Sequence, residues 1–200
     1  AAAFGIGFPG DKSMAAVELE PDDGVTMYVA AADPGEGNDS MLSQLAAEVL
    51  ELPLDKVRTV TRTTAQTTAA GPASGSRVTY MIGGATVEAL KKLKAAMDTV
   101  GAKNYQAFIA AQCPTRYTGT KASLATAPLD PATGQGPSAD SDVHAIQMAE
   151  VEVNTETGEV TVIKMTVAVD AGPVIHPQNL EGQLEGGMDM GVGYALREEF

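Results

Sequence analysis

Cysteine is almost absent: Cys113 stands alone in 200 residues. That excludes an intramolecular disulfide framework, and it excludes a cysteine-ligated iron–sulfur cluster built by this chain alone, because such clusters need several thiolates. Histidine is nearly as scarce. His144 and His176 are the only two and lie far apart in sequence, so a zinc site made by the protein itself is not expected. Positive charge is short as well, with 13 Lys and Arg against 26 Asp and Glu and a formal net charge of -13. A nucleic-acid groove needs clustered cations. Only Lys91, Lys92 and Lys94 cluster, and they are expected to form the solvated face of a helix. No apolar run approaches the roughly 20 residues that span a bilayer, so neither nucleic acid nor membrane is an expected partner. Residues 1–10 have no basic residue and too short an apolar stretch for a secretory signal. They read as the interior of a longer chain, for which a bacterial cytoplasmic location is the default.

What is present is ordinary for a folded protein: 44% hydrophobic and 20% charged residues, enough apolar matter for one large or two small cores. Residues 15–20 alternate apolar and acidic as a half-buried strand does, Pro21-Asp22-Asp23-Gly24 supplies turn chemistry, and Val25, Met27 and Val29 alternate again. Met41, Leu42, Leu45, Ala46, Val49 and Leu50 then recur at helical spacing, with Asn38 or Asp39 as the expected cap. Val57 to Val60 forms a short strand. Val78 to Val100 reads as a helix buried through Val87, Leu90, Met97 and Val100. Its Gly83-Gly84 pair costs about 1 kcal/mol per glycine against alanine and so requires close packing or a nearby ligand. Tyr105 to Ala111 reads as a short helix, Arg116 to Ala125 as a strand, and Pro128 to Ser141 as a long loop.

From Ala145 the opening pattern returns. Residues 149–153 form a strand, 154–158 a turn, and 159–170 a strand whose apolar phase changes between Val162 and Ile163, as a bulge would allow. A helix over about 179–198 follows. The expected fold is α+β: two related strand–strand–helix subdomains with mixed sheets and packed helices, the second stopping where its next strand should begin. The corresponding division is 1–112, a connecting segment 113–144 with a long loop, and 145–200.

Three segments carry chemistry. Gly35-Glu36-Gly37 sits at a strand-to-helix junction, where bare backbone N–H groups can approach an anion, though a plain capped turn has the same composition. Gly71-Pro72-Ala73-Ser74-Gly75-Ser76-Arg77 precedes the Gly83-Gly84 helix and suits phosphate or pterin oxygens equally with an ordinary turn. It has no Gly-Lys-Ser/Thr of a P-loop and no Gly-x-Ser-x-Gly elbow. In the third, Gly182, Gly186, Gly187, Gly191 and Gly193 fall within one helical stretch, as close helix packing or a large planar cofactor would require. Glu181, Glu185 and Asp189 exclude a membrane dimer motif there.

Taken together these segments resemble the molybdenum hydroxylases, the family of xanthine dehydrogenases and aldehyde oxidoreductases. Gly35-Glu36-Gly37 and its helix are similar to the family's Gly-Gln-Gly and a helix containing Gln-Ile-Ala-Ala-Glu. Residues 71–77 with Gly83-Gly84-Ala85 are similar to its second cofactor loop and following helix. Residues 149–153, 157–160 and 169–172, with Pro177 and 181–187, are similar to a third stretch. All three occur in family order over nearly the whole chain.

The resemblance implies molybdenum on a pyranopterin, in bacterial relatives often extended as a cytosine dinucleotide, and oxidative hydroxylation of an aldehyde or N-heterocycle. It implies electron exit through iron–sulfur clusters in other domains or subunits, in some relatives with a flavin. The partners are then the rest of the molybdenum subunit, those redox domains and a small-molecule substrate. By motif, Gly35, Glu36 and Gly37 would touch the pterin dinucleotide. Gly75 would bring its backbone near molybdenum, with Ser74, Ser76 and Arg77 around the cofactor tail and Gly186, Gly187 and Met190 on the other side. Glu36 replaces a family Gln and exchanges a donor for an acceptor-only carboxylate, and Met190 replaces another Gln. The family's glutamate base and two further cofactor loops have no counterpart here, so no residue is a catalytic or metal-ligand candidate, and the isolated chain is expected to be inactive. An independent nucleotide- or anion-binding domain and a non-catalytic paralogue are the competing readings.

Overall fold

The computed structural model describes residues 2–6, 10–61, 63–124, 127–138 and 141–199. They form two compact units, residues 6–141 and residues 1–5 with 142–200. The fold is α+β. The first strand, β1 (Ala2–Ile6), pairs outside its sequence neighbourhood: it joins the sheet of the smaller unit.

In the larger unit β2 (Lys12–Leu19), β3 (Val25–Tyr28), β4 (Val57–Val60) and β5 (Arg116–Ala122) make a four-stranded sheet in the order β4-β3-β2-β5. The β2–β3 and β2–β5 pairs are antiparallel and β3–β4 is parallel. The expected hairpin forms, with Val17 opposite Met27 and both fully buried. Helix α1 (Asn38–Leu50) returns the chain to β4, and α2 (Gly83–Val100) lies against β2 and β5. The short α3 (Tyr105–Ala110) drops Phe108 into the core, with the Asn104 side chain accepting from Ala107 N at 2.9 Å as its cap.

The division expected from sequence places its boundaries differently from the structure. Residues 116–122, assigned to a connecting segment, are a sheet strand paired along β2 from Lys12–Ala122 to Glu18–Arg116. A seven-residue ladder binds them to the first unit, so the larger unit runs to Ser141.

The buried face of α2 also departs from expectation. Leu90 is buried as expected, but Val87 and Met97 are half-buried and Val100 is exposed, while Met81 and Ile82 just before the helix and Ala85, Thr86, Ala89 and Leu93 within it are buried. Small residues win because helix and strand touch backbone to backbone: a Cβ on Gly119 of β5 would lie 2.0 Å from Ala85 O and 2.5 Å from Ala89 N. The Gly83-Gly84 pair has the same explanation. A Cβ at Gly83 would meet Leu45 Cδ1 of α1 at 3.2 Å, and one at Gly84 the Lys121 stem at 3.3 Å. Both glycines thus sit in close packing against protein side chains.

In the smaller unit β6 (Ser141–Val153) and β7 (Val160–Asp170) form a long antiparallel ladder with β1 on the other side of β6. Glu150 faces Lys164 and Val151 faces Val162, so Ile163 is the extra, unpaired residue of a bulge. This is the phase change seen in the sequence. It puts Val160, Val162, Met165, Val167 and Val169 on one half-buried face and leaves Ile163 54% exposed. Helix α4 (Pro177–Leu196) follows, capped by His176, whose Nδ1 accepts from Asn179 N at 3.3 Å.

Candidate functional site

Two loops in the larger unit precede two neighbouring helices. Leu45 of α1 packs near Gly83 at the start of α2, while Lys94 donates to Val49 O and Glu51 Oε1 at the end of α1 (3.0 and 2.6 Å). The helices therefore run in the same sense, and both loops lie at the same end of the helical pair. Lys94 thereby satisfies the Val49 carbonyl at the negative end of the α1 dipole. Lys92 pairs with Glu88 and Thr118 O. Lys92 and Lys94 thus staple α2 to β5 and α1, while Lys91 is exposed, on a face that remains largely solvated.

The first loop runs from Asp33 to Asp39. The expected cap, Asn38 or Asp39, is not what ends it. Gly37 is the N-cap, at φ 89°, a left-handed conformation that glycine takes without strain. No side chain at the cap position can then reach back, and Asp33 supplies the carboxylate instead. Its Oδ1 accepts from Gly35 N and Gly37 N at 2.9 and 3.1 Å, and Oδ2 from Asp39 N at 3.4 Å. Burial alone would raise the Asp33 pKa, but these backbone donors outweigh it and hold the carboxyl below its ordinary value of 3.8. The N–H groups that the Gly-x-Gly offers to an external anion are therefore already occupied by an internal one. Asn38 points inward and donates to Ala32 O and Glu36 Oε1. Glu36 Oε2 and Asp39 Oδ1 are buried acceptors with no partner among the described residues.

The second loop, residues 71–76, is exposed along its whole length. The Ser74 and Ser76 hydroxyls make no hydrogen bond among the described residues; only their carbonyls do, to Arg77 N and Tyr80 N. Beneath the loop Arg77 is 7% exposed. Its Nε and Nη2 donate to the two oxygens of Asp11 at 2.8 and 2.6 Å, Nη1 to Ala70 O and Pro72 O, and Nη2 also to Ser13 Oγ at 3.0 Å. Ser13 Oγ in turn donates to Ala70 O at 2.7 Å. Gly71 takes φ +81°, and a Cβ there would stand 2.5 Å from Arg77 Nη2, so the guanidinium packs on bare backbone. Hydrogen bonding to Arg77 holds the Asp11 carboxyl below its ordinary range. The chain then enters α2 through a single π-helical turn, Val78–Ile82, a form found mostly as short bulges and frequently at functional sites.

The sequence-derived site residues therefore fall into two groups. Gly35, Glu36, Gly37, Ser74, Gly75, Ser76 and Arg77 belong to the larger unit, and Gly186, Gly187 and Met190 lie on α4 of the smaller one. Cβ atoms at Gly182, Gly186, Gly187 and Gly191 would meet nothing within 4 Å, and Met190 is 75% exposed. These four α4 glycines thus have no packing partner among the described residues, while a Cβ at Gly193 would meet Glu198 Oε1 at 3.4 Å. Asp11 and Ser13 escaped notice in the sequence because they sit in no glycine motif, and Asp11 is 66 residues from its partner. Among the described residues no group of three or more His, Cys, Asp or Glu could hold a metal ion, and no helix is long and apolar enough to cross a membrane.

Residues 1–200 match the molybdopterin cofactor-binding domain family along their full length. The chain belongs to that family. This molybdopterin-binding domain is 34% identical to an aldehyde oxidoreductase of Megalodesulfovibrio gigas over 203 residues, covering 98% of the chain and 22% of that relative. It is 26% identical to a xanthine dehydrogenase of Oryza sativa subsp. japonica, covering 98% of the chain and 15% of the relative. The solved aldehyde oxidoreductase of Desulfovibrio gigas superimposes with a TM-score of 0.91 at 33% identity, over 99% of this chain and 22% of that one. A Cu,Mo-CO dehydrogenase shares the fold at a TM-score of 0.72 and 16% identity. The domain spans about a fifth of the length of its aldehyde oxidoreductase relative.

Proposed function

We propose that this domain forms part of the wall of a molybdopterin site in a larger molybdenum-dependent oxidoreductase that hydroxylates an aldehyde or an N-heterocycle. The observation that carries this reading is the loop 71–76: exposed throughout, with free hydroxyls at Ser74 and Ser76, and raised on a buried Arg77–Asp11 pair at the head of α2. Its composition suits the oxygens of an anionic cofactor tail, which serine hydroxyls and the Gly75 backbone can bind.

The residues of the first loop fit a pterin in a different way. Buried acceptors without partners, Glu36 Oε2 and Asp39 Oδ1, favour a ligand edge that donates N–H groups, as pterin and cytosine rings do. Glu36 in place of the family's glutamine then serves the donor face of the cofactor. An independent anion-binding domain is the weaker reading, because Asp33 already fills the Gly35–Gly37 cradle. Gly186, Gly187 and Met190 on α4 of the smaller unit offer an exposed helical surface that a planar cofactor could approach.

Bound molybdenum supplies the two-electron redox centre. The role of this chain is to hold and orient the cofactor, and it is inactive alone. The remaining subunit supplies the base, and iron–sulfur domains or subunits, in some arrangements with flavin, remove the electrons. The cytosine dinucleotide form and a cytoplasmic location complete the reading. Elemental and pterin analysis of the intact subunit tests it: near-stoichiometric molybdenum with a pterin is expected, and acid release of a cytidine nucleotide identifies the dinucleotide. A correctly folded subunit lacking both molybdenum and pterin overturns the reading and leaves the non-catalytic paralogue.

A further inference from the structure

We infer that Asp11 and Arg77 act together as positioning residues: their ion pair fixes the 71–76 loop in its cofactor-ready form, and Arg77 is not itself a cofactor ligand. This rests on the reading of that loop given above. The side chain of Arg77 has no donor left to offer. Nε, Nη1 and Nη2 are all engaged, and their acceptors tie two segments together: Ala70 just before the loop and Pro72 within it, and Asp11, Lys12 and Ser13 at the approach to and start of β2.

The tether continues along the same edge. Met14 N donates to Ala69 O at 3.1 Å and Thr68 Oγ1 to Met14 O at 2.8 Å, so residues 68 and 69 are tied to β2 where β3 no longer pairs with it. The planar, forked guanidinium is the group that can bridge a carboxylate bidentately and two carbonyls at once; a lysine ammonium cannot. With side chains 8% and 16% exposed, the pair is shielded from competing water. Gly71 completes the device, because any side chain there would enter the guanidinium.

The two roles for Arg77 separate at Asp11. A direct ligand needs no Asp11, and Asp11→Asn would leave cofactor binding intact. A clamp fails equally from either end. The intact subunit carrying Asp11→Asn or Arg77→Lys is compared with the parent by pterin bound per folded subunit and by amide hydrogen exchange. We expect both variants to lose at least tenfold in bound pterin and to exchange at least tenfold faster at the hydrogen-bonded amides of Met14 and Arg77, which hold Ala69 O and Ser74 O, with α1 and β5 unchanged. Ser13→Ala, which removes the acceptor of Arg77 Nη2 and the donor to Ala70 O without unpairing a buried charge, should accelerate exchange there by roughly threefold to tenfold, two hydrogen bonds of modest worth being lost; it serves if the other variants do not fold. Pterin retained in Asp11→Asn but lost in Arg77→Lys makes Arg77 a ligand and overturns the inference. Unchanged exchange at the Met14 and Arg77 amides also overturns it. If the parent subunit carries no pterin, the functional reading falls while the exchange comparison still decides the clamp.

Discussion

Gly119 is the residue on which the larger core closes. Its missing side chain lets β5 meet the α2 backbone at Ala85 and Ala89, and a methyl group would have to occupy space 2.0 Å from Ala85 O. Overpacking of this kind costs about 1–3 kcal/mol, and here the obstacle is backbone rather than a movable side chain, so the upper part of that range applies. Gly119→Ala should lower the urea midpoint of the larger unit accordingly, without a change in the slope of the transition. Two carboxylates give the domain an acid-sensitive stability. Asp11 and Asp33 both have folded pKa values below the ordinary 3.8. Their contribution is complete above that value and is lost as pH falls from it toward the folded values. Unfolding free energy should therefore be level near neutrality and decline below about pH 4, and Asp11→Asn should flatten that decline in an acid titration monitored by denaturant unfolding.

At the scale of elements, α1 depends on a carboxylate that lies outside it. Asp33 caps three N–H groups across the left-handed turn at Gly37. Removing such a cap costs about 1 kcal/mol. Asp33→Ala should speed amide exchange at Gly35, Gly37 and Asp39 while β2 and β3 keep theirs. Helix α4 behaves in the opposite way. Gly182, Gly186, Gly187 and Gly191 face open space and carry a propensity cost of about 1 kcal/mol each against alanine. Gly186→Ala should consequently raise the helicity of the 200-residue chain by circular dichroism, yet lower pterin content in the intact subunit if the cofactor lies against that backbone. A gain in helicity without loss of pterin would remove Gly186 from the site.

For the molecule as a whole the two units are unequally finished. The larger one buries a continuous core from Val17 and Met27 to Leu93 and Phe108. The smaller exposes Ile146 (61%), Met148 (65%), Val151 (48%), Val153 (50%) and Ile163 (54%), and these occupy both faces of the β6–β7 ladder. Apolar surface on this scale marks a contact region. The 200-residue chain produced by itself should bind a hydrophobic dye, and the intact subunit should bind much less. Equal dye binding by both would show that this ladder is solvated in the full protein.

The sequence by itself determined most elements, because each is written in local periodicity: the β2–β3 hairpin in its alternation and Pro21–Gly24 turn, α1 in its 3.6-residue repeat, the bulge at Ile163 in a one-residue slip of phase. It also carried the family, through three glycine segments in order. Only the tertiary structure decided where those elements pair and what each polar group does. That β1 joins β6, that α2 buries alanines, that Asp33 takes the Gly35 and Gly37 donors, and that Arg77 is spent on Asp11 all depend on geometry in three dimensions. A glycine motif shows that backbone is bare. It does not show what comes to lie against it, and in this domain the answer at Gly71, Gly83, Gly84 and Gly119 is the protein itself.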